Sequence, residues 1–463
     1  VEKPIFNKPF ILAITLVSAM GGLLFGYDWV VIGGAKPFYE RFFDITASPN
    51  LQGWTMSSAL IGCLIGAMAS GYLTDRFGRK RPLIAAAALF TIAAIGTGTA
   101  DHLMPFIGYR LIGGLGIGLA SAISPMYIAE ISPAHLRGRL VSVNQLTIVI
   151  GILAAQIINY LIAEKIPEGA TDTMILQSWN GQTGWRWMFW AGTVPAVFFF
   201  IFSFFIPESP RFQAKSGNWK GAEATLVRIG GAQYAIEARQ EIAETLQGSD
   251  SKIDWNLLGS KRVRPLLILG IVLAVFQQWC GINVIFNYAE EVFTSAGYSV
   301  GDMLFNIVIT GTVNLVFTIL AMRMVDSWGR RKLMLLGSIG LAVIYFMLGT
   351  SYFFEVKGVA VLLLVMCAIA TYGLTLAPIT WVILSEIFPN KIRGTAMAIA
   401  TTSLWMACFV LTYTFPLLNK ILHASGTFWL YGLICFSGFL FILKKLPETK
   451  GKSLEEIEKI LIH

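Results

Sequence analysis

The sequence predicts an all-α integral membrane protein, with about twelve transmembrane helices in two six-helix bundles. Three observations carry that prediction. Apolar segments of roughly 20 residues follow one another along the 463-residue chain, each long enough to cross a hydrocarbon core of about 30 Å. Only 13% of the residues are charged, against about 25% in soluble domains, while 55% are apolar and the mean hydropathy is +0.66. Short motifs of the first half recur in the second. Backbone inside a bilayer must satisfy its own hydrogen bonds, so the apolar segments read as helices.

In order, the spans read as 11–34, 53–74, 82–100, 104–127, 139–162, 187–206, 265–288, 303–325, 332–354, 358–385, 395–418 and 426–445. The first is too long for a cleavable signal peptide and lacks a small-residue cleavage site. It holds Asp28 in the run Phe25-Gly26-Tyr27-Asp28. A carboxylate at that depth costs roughly 2.5–3.5 kcal/mol on insertion scales, so it faces a cavity or a partner and marks a proton or ion pathway. The fourth span begins near Arg110 and continues through Gly113, Gly114, Gly116 and Gly118. These glycines follow no strand and do not close as Gly-x-Gly-x-x-Gly, which points to close helix packing rather than a nucleotide loop.

Polar and aromatic groups then punctuate the apolar runs. Gln145 lies in the fifth span, Gln277, Gln278 and Asn283 in the seventh, and Asn314 in the eighth. Trp381 lies in the tenth span and Trp405 in the eleventh. Amides donate and accept, as sugar hydroxyls do, and aromatic faces suit a sugar's C–H surface. Hydrogen bonding between helices is the competing reading of each amide. Gln277 and Gln278 stand about 100° apart on a helix, and Asn283 is not four residues on from either. A straight helix would splay the three, so Gly281 predicts a local break.

The formal net charge is +8, yet its distribution opposes nucleic-acid binding. Lys and Arg crowd alternate loops: Arg76, Arg79, Lys80 and Arg81; Arg137 and Arg139; the 207–264 segment; Arg330, Arg331 and Lys332; Lys391 and Arg393. That asymmetry places both termini in the cytoplasm. The five cysteines lie in apolar segments without a Cys-x-x-Cys pair, which indicates neither a metal site nor a disulfide framework.

The repeats are specific. Asp75-Arg76-Phe77-Gly78-Arg79-Lys80 returns as Asp326-Ser327-Trp328-Gly329-Arg330-Arg331-Lys332. Glu130-Ile131-Ser132-Pro133 with Arg137-Gly138 returns as Glu386-Ile387-Phe388-Pro389 with Arg393-Gly394, and Pro207-Glu208-Ser209 as Pro447-Glu448-Thr449. The domains that follow are a first bundle over 1–206, a cytoplasmic helical linker over 207–264, a second bundle over 265–446 and a cytoplasmic tail over 447–463. In the linker, Ala222, Leu226 and Ile229 make an apolar helical face. Parallel repeats of this kind describe transporters that rock one half against the other around a midplane site.

Taken together, six motifs carry a resemblance: Gly71-Tyr72-Leu73-Thr74-Asp75-Arg76-Phe77-Gly78-Arg79-Lys80; Arg110-Leu111-Ile112-Gly113-Gly114-Leu115-Gly116; Pro125-Met126-Tyr127-Ile128-Ala129-Glu130 leading to Arg137-Gly138; Pro207-Glu208-Ser209-Pro210-Arg211; Gln277-Gln278-Trp279-Cys280-Gly281-Ile282-Asn283; and Pro447-Glu448-Thr449-Lys450-Gly451. Along nearly its whole length the chain resembles the sugar porter family of the major facilitator superfamily. Within it, the chain looks most like bacterial D-xylose–proton symporters and is related to facilitative glucose transporters. The resemblance implies the major facilitator fold and pairs Asp28 with Arg110 for proton coupling. A static buried ion pair is the competing reading. An adjacent cation weakens a carboxylate's hold on a proton and burial strengthens it, so alternating access can load and unload the acid.

The resemblance also assigns Gln145, Gln277, Gln278, Asn283, Asn314 and Trp381 to sugar contact, and Trp405 joins them as a candidate. Two positions depart from the pattern: Leu404 stands where xylose symporters carry Gln, and Asn287-Tyr288 replaces a frequent Tyr-Tyr pair. Asp75, Arg79, Glu130, Arg137, Glu208 and Arg211, with Asp326, Arg330, Glu386, Arg393 and Glu448, read as a cytoplasmic gate. Their network is expected to form when the inner side closes and to hold the outward-facing state; charge that merely sets topology is the alternative.

The expected function is proton-coupled symport of a monosaccharide, D-xylose first and D-glucose or another aldose next, by a multi-pass protein of the plasma membrane (a bacterial inner membrane). A facilitative uniporter and a non-transporting sugar receptor are the alternatives. The expected partners are the sugar, protons and the lipid bilayer, without nucleic acid, for a protein that works as a monomer. No cofactor is expected, the proton gradient being the drive. No nucleophile–base or metal constellation suggests an enzyme.

Overall fold

Helices account for all the regular structure among the residues that a computed structural model describes: 6–133, 135–167, 169–247, 260, 263–388 and 393–448. The first half consists of α1 (Lys8–Phe42), α2 (Pro49–Phe77), α3 (Lys80–Thr99), α4 (Leu103–Ile131), α5 (Arg137–Ile162), the short α6 (Asp172–Gln177), and a sixth crossing made of a π-helical turn (Asn180–Gly184), α7 (Trp185–Ala191) and α8 (Thr193–Ser203). Two helices follow on the basic side, α9 (Pro210–Lys215) and α10 (Trp219–Gln247). The second half holds α11 (Arg264–Trp279), α12 (Ile282–Asn287), α13 (Ala289–Ser295), α14 (Val300–Trp328), α15 (Arg330–Phe353), α16 (Val359–Leu374), α17 (Leu376–Ile387) and α18 (Arg393–Lys445).

Among the described residues, eleven stretches are long and apolar enough to cross a membrane. The last, Thr395–Lys445, contains two crossings, because the helix breaks at His423 (φ 57°). Twelve crossings result. The helices overrun several sequence-read spans. α1 continues to Phe42 and keeps Lys36 and Glu40 almost wholly buried at its far end. Such burial requires partners, and they lie in the second half.

Each half packs within itself. α2 and α3 lie against α4, and α1 lies against α5; α15 and α11 lie against α18. Between the halves, α18 meets α2, α14 meets α5, and α1 meets α12 and α13. Glycines bring the backbones close: a Cβ on Gly53 would collide with the Tyr413 carbonyl, and one on Gly33 with that of Phe286. α10 bends at Gly231 (φ 81°), and its Ala222, Leu226 and Ile229 are buried, as its apolar face predicts. The Asn7 N–H donates to the Ile229 carbonyl at 2.9 Å, tying the start of α1 to α10.

Candidate transport site

Where the first third of α4 crosses the middle of α1, one guanidinium nitrogen of Arg110 straddles the Asp28 carboxylate, at 2.9 Å from each oxygen. The Arg110 side chain is 3% exposed and that of Asp28 17%. Arg110 also lies 6.0 Å from the centre of the Phe189 ring. Asp28 borders a recess of about 10 Å³, the size of one water, lined by Tyr27, Val31, Phe90 and Phe189 among others. Arg110 is buried and depends on Asp28 for its counter-charge.

In the second half, the helix that begins as α11 ends at Trp279, and Gly281 takes a left-handed conformation (φ 86°) before α12 starts. That break turns Asn283 back toward the glutamines. Gln278 Nε2 donates to Gln277 Oε1 at 2.9 Å, and Asn283 Nδ2 donates to Gln278 Oε1. Gln277 in turn donates to the Ala377 carbonyl at 3.5 Å, and Asn283 faces the Cys408 sulfur at 3.6 Å. A second break at Tyr288 separates α12 from α13, and the buried Tyr288 hydroxyl donates to the Thr412 carbonyl at 2.6 Å.

The other candidates lie on other helices. Asn314 is buried on α14 with its carbonyl oxygen beside Gly373 of α16, and Gln145 is half-buried on α5. Trp405 is 4% exposed and crosses to the first half, its ring 5.9 Å from Phe25 and 6.0 Å from Trp29. Trp381 is 38% exposed. Leu404 is buried beside Trp405, and Asn287 is buried at the end of α12. The site therefore holds one buried ion pair in the first half and a hydrogen-bonding amide chain in the second. Trp405 lies between them.

A family model described as "Sugar (and other) transporter" matches residues 14–461. The chain belongs to this family. It is a multi-pass membrane transporter of sugars, not an enzyme, with the major facilitator fold. It is 39% identical to the D-xylose-proton symporter of Escherichia coli (strain K12), over 98% of this chain and 96% of that one. It is 38% identical to the arabinose-proton symporter of Bacillus subtilis (strain 168), over 98% and 95%. The inward-open structure of the E. coli xylose transporter matches with a TM-score of 0.84 at 38% identity, over 97% of this chain and 99% of that one.

The charged motifs of this sugar transporter gather at the basic end of each half. Arg79 Nη2 lies 2.7 Å from Glu130, whose other oxygen accepts from the Ser209 hydroxyl. Glu208 accepts from the backbone N–H groups of Arg79 (2.8 Å) and Lys80, capping the start of α3. Asp75 pairs with Lys215 of α9 at 2.9 Å, and Arg137 Nε donates to the Ala129 carbonyl at 3.1 Å. Arg211 is exposed and outside this network. The second half repeats it: Arg330 meets Glu386 at 3.2 Å, and Glu448 accepts from the N–H groups of Arg330 (2.9 Å) and Arg331 (3.2 Å). The side chains of Asp326 and Arg393 lie outside the described residues.

The charges were expected to form a network when the inner side closes. The described pairs sit within a half. The described partners are neighbouring helix ends of the same bundle.

The reading of the sequence passed over a second cluster at that opposite end. Lys36 of α1 reaches Glu40 at 2.9 Å, Glu290 at 3.3 Å and Glu291 at 2.7 Å; Arg41 reaches Glu290 at 3.0 Å and Asp172 at 2.8 Å. The signal available was a Lys–Glu pair four residues apart near the end of the first span, with an acidic pair just beyond the seventh.

Proposed function

We propose that this sugar transporter is a proton-coupled monosaccharide symporter of a bacterial inner membrane, with D-xylose the first substrate and D-glucose or another aldose next. The observation that carries the reading is the buried contact of Asp28 with Arg110. A proton on Asp28 removes one charge of the pair, releases Arg110 and alters how α1 holds α4. An acid that is paired in one state and solvated in another gains and loses its proton as the molecule turns over. The likeness to the xylose and arabinose proton symporters supports the same reading.

The sugar is gripped by Gln277, Gln278, Asn283, Asn314 and Trp381 of the second half, with Gln145 opposite and Trp405 between. Trp405 Nε1 and Asn287 Oδ1 are buried without a hydrogen-bond partner among the described residues. An unmet buried polar group costs about 1–3 kcal/mol, and sugar hydroxyls meet both, accepting from Trp405 and donating to Asn287. Leu404 offers no polar contact, so Asn287 takes a share of the recognition here. The domain division follows the two bundles, with 207–264 as a cytoplasmic linker and 447–463 as a tail.

With both termini in the cytoplasm, the end of α1 that bears Lys36 is extracellular and the structure is inward-open. The charged motifs then brace each bundle at its cytoplasmic face. The protein acts as a monomer, without a cofactor, on the proton gradient. Uptake in proteoliposomes tests this: an inward pH gradient is expected to concentrate xylose, and Asp28→Asn to abolish accumulation while sugar exchange continues. Accumulation by Asp28→Asn equal to wild type would exclude Asp28 as the coupling acid.

A further inference from the structure

The cluster at the far end of α1 is short of positive charge. Lys36 offers three donors and spends them on Glu40, Glu290 and Glu291. Arg41 divides itself between Glu290 and the exposed Asp172. Four carboxylates thus face two cations. Lys36 and Glu40 are each 2% exposed, Glu290 13% and Glu291 21%. Two carboxylate oxygens, Glu40 Oε1 and Glu291 Oε2, are buried with no hydrogen-bond partner among the described residues. An ionised carboxylate oxygen buried without a donor is unfavourable, and a bound proton removes the charge.

We propose that this cluster is a second proton-binding site, separate from Asp28, at which Glu40 and Glu291 together take up one proton from the adjoining medium as the two halves close over it. The balance is simple. With one proton bound, the Glu40–Glu291 pair carries one negative charge and Glu290 another, against Lys36 and Arg41, leaving only the solvated Asp172. Because α1 supplies the cations and α13 supplies Glu290 and Glu291, parting the halves at this end solvates the acids and returns the proton. The site makes closure on this side responsive to pH. It rests on the halves separating here during transport, and not on coupling at Asp28.

The surroundings agree. From α1 come Lys36, Tyr39, Glu40 and Arg41, and from α6 comes Asp172. Tyr288 lies at the α12–α13 junction, with Lys36 5.9 Å from its ring centre, and the positive charge of Arg110 of α4 also acts on Tyr39. Gln52 of α2 adds a neutral donor to Glu40 at 3.1 Å. Burial raises the Glu291 carboxyl above the ordinary carboxylate range, with Lys36 opposing and Glu290 adding. Burial acts on Glu290 too, but Lys36 and Arg41 outweigh it and hold Glu290 down. An acid with the higher pKa in the closed state binds more protons there, so lowering the pH favours closure.

Spin labels at Leu51→Cys and Val356→Cys, in a Cys367→Ser background, report the distance between halves at this end in nanodiscs with the same pH on both sides. The closed-to-open ratio is expected to rise as pH falls from about 8 to about 5.5, by up to about tenfold per unit for one proton. Glu291→Gln is expected to flatten that response with the closed population high, and Glu40→Gln to do the same. Asp28→Asn is expected to keep the response. A wild-type distribution that ignores pH, a full response in both Gln variants, or a response lost in Asp28→Asn would each overturn the proposal. None of these readings depends on sugar accumulation, so failure here is distinct from failure of coupling at Asp28.

Discussion

Gln278 stands at the centre of the amide chain, giving a hydrogen bond to Gln277 and receiving one from Asn283. At 8% exposure it has little water to fall back on. Gln278→Ala leaves both neighbours short of a partner and removes a group that sugar hydroxyls would use. Xylose binding measured by calorimetry is expected to weaken by about 1–3 kcal/mol; unchanged affinity would place the sugar elsewhere. At this scale the sequence was informative where a polar group broke an apolar run, because that cost demands an explanation on its own. Asp28, Gln277, Gln278 and Asn283 were legible for that reason. Lys36 and Glu40 were not, because charges near the end of a span ordinarily reach water, and only their contact with Glu290 and Glu291 removes that escape.

The seventh crossing is the element on which the site depends. Its break at Gly281 was legible because a straight helix would splay Gln277, Gln278 and Asn283. The conformation there is left-handed, and a Cβ would lie 2.8 Å from the Tyr431 ring. Left-handed backbone costs roughly 1–2 kcal/mol in a residue with a side chain. Gly281→Ala is therefore expected to lower the unfolding temperature and weaken xylose binding together; a variant with wild-type melting and affinity would show that the break is not needed. The second break at Tyr288 carried no glycine or proline and was not foreseen. The twin motifs also became physical at this scale. Gly78 (φ 82°) and Gly329 (φ 89°) each let a glutamate, Glu208 or Glu448, reach the start of the next helix.

Across the whole molecule, charge asymmetry sets the orientation and the packing sets the state. Leu51 lies at the end of α2 near the Lys36 cluster and Arg211 lies on α9 at the basic end, both exposed. In the Cys367→Ser background, a membrane-impermeant maleimide added to intact cells is expected to label Leu51→Cys and to spare Arg211→Cys. The opposite pattern would put the termini outside. By itself the sequence determined the helical class, the number of crossings, the duplication and the family, because span length, composition and motif order are local properties that add along the chain. Only the tertiary structure decided which helices of the two halves meet, that Lys36 meets Glu290 across 254 residues, and that the described motif pairs sit within a half. Those outcomes depend on how two similar bundles settle against each other, an equilibrium between states that one sequence supports equally in its local pattern.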